Sequence, residues 1–203
     1  MKKIDAAFWQ EKYRLNQTGW DRGAVSPQLL AWCEQRILTP CRIVVPGCGS
    51  GWEVLELAKR GFEVVAIDYA EAALNKTADL LQKANLNAEL IQADVLTLEF
   101  SNFFDAIYEQ TCLCALHPDA WLDYSNKLYS WLKPKGNLFL MAMQAPKKQA
   151  IEEGYIDGPP YDCGINTIRA LFSEGRWVWQ EPPYSRVAHP SAIHELAVQL
   201  IKK

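Results

Sequence analysis

Short apolar runs alternate with amphipathic stretches along most of the chain. Arg42-Ile43-Val44-Val45-Pro46 is rich in β-branched residues and predicts a buried strand. Gly47 to Gly51 predicts a turn, and Trp52 to Arg60 a helix ended by Gly61. The cycle then repeats. Glu63 to Ile67 reads as a strand ending at Asp68, Glu71 to Ala84 as a helix, and Ala88 to Ala93 as a strand ending at Asp94. Phe104 to Tyr108 predicts a strand and Pro118 to Leu132 a helix stopped by Pro134 and Gly136, with a further strand over Asn137 to Met143. Ahead of this core, Asp5 is placed to cap a helix carrying Phe8, Trp9 and Tyr13. Ser26-Pro27 reads as a cap followed by proline at the first helical position. Residues 145–163 are rich in Pro and Gly and are expected to be irregular. Ile165 to Phe172 suggests a short helix, and Trp177 to Trp179 with His194 to Ile201 an antiparallel pair.

Strands that alternate with helices imply an α/β fold, a mostly parallel sheet with helices on both faces in a three-layer sandwich. Ligands of such sheets lie beyond the carboxyl ends of the strands. The chemistry is therefore expected at Gly47–Gly51, Asp68-Tyr69, Asp94-Val95 and Tyr108–Cys114. No repeat or linker interrupts the 203 residues, which are read as one domain, 1–203, with residues 1–40 as a helical cover.

The formal net charge of −3 and the isolated pairs Lys147-Lys148 and Lys202-Lys203 give no basic stripe for a phosphate backbone, so no nucleic-acid partner is expected. No apolar run is long enough for a signal peptide or a membrane span, so a cytoplasmic protein without a membrane partner is expected. Six cysteines form neither a C-x-x-C pair nor a zinc spacing, and three histidines fit no H-E-x-x-H pattern. Reduced thiols and no metal follow as expectations.

Val45-Pro46-Gly47-Cys48-Gly49-Ser50-Gly51 carries the sharpest chemical signal. Glycines at a strand end allow positive φ and close approach of a ligand to the backbone. The dinucleotide pattern G-x-G-x-x-G is absent, since Trp52 or Val54 occupies its last position. A phosphate-binding G-x-x-x-x-G-K-S/T is absent as well. Asp68 at the second strand end suits the two ribose hydroxyls of a nucleoside, and Asp94 at the third suits an adenine amine. Together these describe a nucleoside without phosphates, which fits S-adenosylmethionine as donor and S-adenosylhomocysteine as its product.

Several segments resemble the thiopurine methyltransferase family, which includes thiol and halide methyltransferases. They are Phe8-Trp9-Gln10-Glu11-Lys12-Tyr13, Thr18-Gly19-Trp20-Asp21, Val45 to Gly49, Tyr108 to Pro118, Leu132 to Gly136 and Gly158-Pro159-Pro160-Tyr161. The resemblance implies a Rossmann-like class I methyltransferase fold with about seven strands. It also implies a donor site at Trp9, Tyr13, Trp20, Gly47, Gly49, Asp68, Tyr69, Asp94, Val95 and Gln110. The three aromatic residues would face the donor's sulfonium, whose fixed positive charge is attracted to ring faces. Some relatives carry Arg or Tyr where this chain has Gln110, and Asp where it has Glu109.

Transfer from a sulfonium needs alignment and exclusion of water more than acid–base help. No His–Asp pair is apparent as a base. Acceptors that ionise easily are therefore expected: thiopurines, acidic thiols, hydrosulfide or halides. Cys112, Leu113, Met143, Pro159, Pro160 and Tyr161 are candidates for a soft, apolar acceptor pocket, and Arg22 is a candidate for acceptor binding. A monomer or weak homodimer acting on a small molecule is expected. Two other readings stay open: a class I methyltransferase acting on nucleic acid or another substrate, and a protein that binds the donor without catalysis.

Overall fold

The β-branched run over Arg42–Pro46 forms β1, buried except at its first residue. Its neighbours β2 (Glu63–Asp68) and β3 (Glu89–Gln92) lie parallel to it, in the order β3-β2-β1. Parallel strands need crossover connections, which here are α3 (Trp52–Lys59) and α4 (Glu71–Lys83). Gly61, at φ +84°, ends the first of these. Before β1 stand α1 (Ala6–Arg14) and α2 (Pro27–Glu34). Asp5 caps α1 as expected, its Oδ1 accepting from the Phe8 N–H at 3.1 Å. The computed structural model describes residues 4–189 and 193–203, so the N-terminal run Met1-Lys2-Lys3 lies outside the described residues.

These elements make up one of two compact units, Met1–Leu98. The second unit is Glu99–Lys203. There β4 (Phe104–Gln110) pairs in parallel with β5 (Leu132–Gln144), and β8 (His194–Lys202) runs antiparallel to β5. Both β6 (Trp177–Trp179) and β7 (Ser185–Ala188) pair antiparallel with β8. The helices are α5 (Trp121–Trp131), α6 (Lys148–Glu153) and α7 (Ile165–Leu171). Trp131, Tyr124, Phe104 and Phe139 are among the fully buried side chains of this unit.

Four expectations need correction. The described residues form eight strands, not seven. The additional one, β7, has a mostly exposed face, and only its pairing with β8 makes it a strand. The segment at 145–163 contains α6, whose good helix formers end at Gly154 with φ +73°. β5 begins at Leu132 rather than Asn137. Its ladder is interrupted between those residues because Pro134 has no N–H and Lys135 sits at φ +64°. Cys112 and Cys114 belong not to a strand end but to a tight turn around Leu113–Ala115.

Candidate active site

The turn after β1 takes left-handed backbone at Gly47, Gly49 and Gly51, with φ of +62°, +57° and +80°. A side chain is excluded at Gly51 for a second reason: a Cβ there would overlap Thr77 of α4. The Thr77 hydroxyl in turn donates to the Gly49 carbonyl at 3.1 Å, so the helix after β2 braces the turn after β1.

Asp68 ends β2 directly against this turn. One carboxylate oxygen accepts from the Gly49 N–H and the other from the Ala70 N–H, each at 2.9 Å. Burial pushes its pKa above the ordinary carboxylate range even so, although the Ala70, Gly49 and Tyr69 N–H groups pull the other way. A buried acid in that state gains from further donors, and three backbone donors leave a lone-pair direction of the carboxylate for one.

The predicted aromatic residues come together beside it. Trp20 meets Trp9 edge-on at 5.3 Å between ring centroids and Tyr13 edge-on at 5.8 Å. Tyr13 is buried with Ala70 and Ala73, while Trp9 and Trp20 are partly buried against that cluster. A Cβ at Gly49 would lie 3.0 Å from the Tyr13 hydroxyl, so the rings reach the glycine turn. The Tyr13 hydroxyl is raised far above its usual pKa, first by burial and then by the charge of Asp68.

Asp94 is taken up partly by local structure, its Oδ1 accepting from the Leu96 N–H at 2.9 Å. Tyr69 stands next to it, its hydroxyl raised by desolvation and by Asp94, with which it shares a hydrogen bond. Val95 is buried and Arg22 half-buried.

In the second unit the candidate acceptor residues follow β4 and β5. Cys112, Leu113, Met143 and Tyr161 are buried, and Pro159 and Pro160 half-buried. The Tyr161 N–H donates to the Cys114 carbonyl at 2.8 Å, and the Cys163 N–H to the Met143 carbonyl at 2.8 Å. These bonds draw the 158–163 segment to the turn after β4 and to the end of β5. Gly158 is required there because a Cβ would overlap the Tyr161 ring. Burial raises the thiols of Cys114 and Cys163 above their ordinary range, which makes them poor nucleophiles.

Two residues in this region, Glu109 and Glu195, carried no role in the sequence reading, and Gln110, assigned there to the donor site, is bonded to one of them. The Gln110 amide Nε2 donates to both Glu195 oxygens, at 2.9 and 3.0 Å, and its carbonyl accepts from the Tyr108 hydroxyl at 2.8 Å. Glu195 faces Met143 in the register of β5 with β8. Glu109 is fully buried, accepts from the Leu113 N–H at 2.6 Å and is pushed up to about 8, chiefly by burial. It braces a strained turn, since the β-branched Thr111 sits at φ +64°. The acidic character of Glu109 was visible in the sequence, but its burial and that of Glu195 were not.

The glycine turn, the buried Asp68 and the aromatic cluster beside them suit S-adenosylmethionine, the donor of class I methyltransferases. The fold agrees over nearly the whole chain. The structure of Burkholderia thailandensis 1,6-didemethyltoxoflavin-N1-methyltransferase with bound 1,6-didemethyltoxoflavin and S-adenosylhomocysteine matches with a TM-score of 0.77 and 20% identity, covering 98% of this chain and 87% of the other. The chain belongs to the thiopurine S-methyltransferase family, which matches residues 4–201. Among its relatives, thiocyanate methyltransferase 1 of Arabidopsis thaliana is 28% identical over 84% of this chain and 73% of its own length. Thiopurine S-methyltransferase of Vibrio cholerae is 27% identical over 87% and 86%. The protein is an S-adenosylmethionine-dependent methyltransferase.

Proposed function

We propose that this enzyme methylates a small, soft nucleophile of the thiol or thiopurine type, with halide-like anions as weaker acceptors. The observation that carries the reading is the junction of Asp68, Gly49 and Tyr13, where a carboxylate, a half-buried glycine turn and an aromatic cluster meet. The donor, when bound, supplies an activated methyl on a positively charged sulfur. Asp68 holds the ribose through its remaining lone-pair direction, and Gly47 and Gly49 admit the donor close to the backbone. Trp9, Tyr13 and Trp20 face the cation, each ring contributing about 0.5–2 kcal/mol. Asp94, Tyr69 and Val95 form the adenine end.

Cys112, Leu113, Met143, Pro159, Pro160 and Tyr161 line the acceptor end and keep water from the attacking atom. Gln110, held by Glu195 and Tyr108, contributes a neutral amide where some relatives have Arg. That favours thiols over small anions, and Arg22 is the remaining cation assigned to acceptor binding. Residues 1–203 are read as one catalytic domain with 1–40 as its cover. The six free cysteines suit a reducing, cytoplasmic setting. Among the described residues no helix is long and apolar enough to cross a membrane. We read the enzyme as a monomer or weak homodimer that binds no nucleic acid.

The test is methyl transfer from labelled donor to 6-mercaptopurine, a simple aryl thiol and iodide. Turnover is expected on the thiols, and more slowly on iodide. Tight donor binding with no turnover on any of the three would favour a donor-binding protein. Turnover on oligonucleotides alone would favour the nucleic-acid reading.

A further inference from the structure

Asp21 follows Trp20 directly, and its carboxylate makes three hydrogen bonds. Oδ1 accepts from the Trp52 indole N–H at 2.9 Å and from the Gly23 N–H at 2.7 Å, and Oδ2 accepts from the Ser50 hydroxyl at 2.5 Å. Two of these donors belong to the glycine turn and the first residue of α3. The third makes a local Asx turn. On its other side the Asp21 N–H donates to the Thr18 carbonyl at 2.9 Å. Trp20 therefore sits in a turn closed at both ends, with its ring against Trp9 and Tyr13. A second tie comes from α1, where the Gln10 amide carbonyl accepts from the Ala72 N–H at 3.0 Å.

We infer that Asp21 is a positioning residue, which fastens the Trp20 aromatic cluster to the glycine turn so that the cluster presents its rings to a cationic ligand. A carboxylate suits this task better than a neutral group. It accepts several donors at once, and its charge reaches the Tyr13 hydroxyl together with that of Asp68. The residue acts through Trp20 and through the field at Tyr13, and forms no bond to reacting atoms. Its expected signature is therefore discrimination between charged and neutral ligands, and the inference rests on the reading of the aromatic cluster as a sulfonium site.

Calorimetric affinities for S-adenosylmethionine (cationic) and S-adenosylhomocysteine (neutral at sulfur) test it. The wild-type protein binds both. Asp21→Ala weakens the cationic ligand about tenfold and the neutral one about twofold, so that their ratio falls about fivefold. Asp21→Asn keeps one acceptor oxygen and restores part of the ratio. Trp52→Phe removes a single donor and moves the ratio in the same direction by less. If Asp21→Ala does not fold, Asp21→Asn and Trp52→Phe carry the test. A merely structural role would lower the melting temperature and weaken both ligands equally, and a ratio unchanged across the folded variants overturns the inference. A Trp20→Ala variant separates this from the underlying reading. If that variant also leaves the ratio unchanged, the aromatic cluster is not the sulfonium site. If Trp20→Ala alters the ratio while the Asp21 and Trp52 variants do not, only the role of Asp21 fails.

Discussion

The two compact units, residues 1–98 and 99–203, are braced by different means. The first is braced around the glycine turn, by positive φ at three glycines and by the carboxylates of Asp68 and Asp21, which collect backbone and side-chain donors from the turn and the start of α3. The second is held by buried polar groups. Gln110 reaches Glu195 from far along the chain, whereas Glu109 sits fully buried beneath its own turn. The contrast fits the proposed placement of the donor in the first unit and the acceptor in the second. A donor common to many enzymes can be held by backbone geometry, whereas an acceptor pocket needs side chains that vary.

Variants in each region sharpen that contrast. The largest effect is expected at Asp68. Asp68→Ala removes the ribose acceptor and frees the Gly49 N–H, and weakens donor affinity by about tenfold to a hundredfold, the equivalent of about 1–3 kcal/mol. An unchanged affinity by calorimetry would remove Asp68 from the site. Gly51→Ala comes next. Strain at φ +80° and overlap with Thr77 lower stability by about 1–3 kcal/mol, read by denaturant unfolding. An effect on acceptor kinetics without loss of stability would contradict the account of the turn.

In the second region, Gln110→Leu leaves the buried Glu195 without its amide partner. A stability loss of about 1–2 kcal/mol and weaker donor binding are expected. An unchanged donor affinity would remove Gln110 from the donor site.

The last test concerns pH. The carboxyl of Glu109 is raised to about 8 in the fold from an ordinary value near 4.5. The folded state therefore holds this proton where the unfolded chain has lost it, so the group's contribution to stability falls as pH rises between those values. Above about pH 8 the loss is complete. Glu109→Gln cannot ionise and should flatten the decline of melting temperature between pH 5 and 8. An identical slope in variant and wild type would show that Glu109 does not titrate in this range.

Much of the first region was legible because its signals are short in range. A β-branched run, a glycine turn and an acidic strand end are contiguous in sequence, and the aromatic spacing of Trp9 and Tyr13 lies on one helix. The role of Trp52 was not legible. It could be read as crowding a dinucleotide site, but its indole N–H bond to Asp21 depends on where the N-terminal segment lies. In the second region β7 and α6 were missed. One is defined by its partner strand, and the other lies in a stretch whose Pro and Gly content masked six helix formers.

Strand and helix alternation, the absence of a phosphate-binding loop and the acids at the end of β2 and just beyond β3 were set by the order of residues, because steric and hydrophobic preferences act over a few positions. Which acids became buried, which turn the threonine at 111 had to strain, and which carboxylate secures the aromatic cluster were decided only by the folded chain. Burial and hydrogen bonding between distant segments depend on three-dimensional proximity, and no local pattern encodes that.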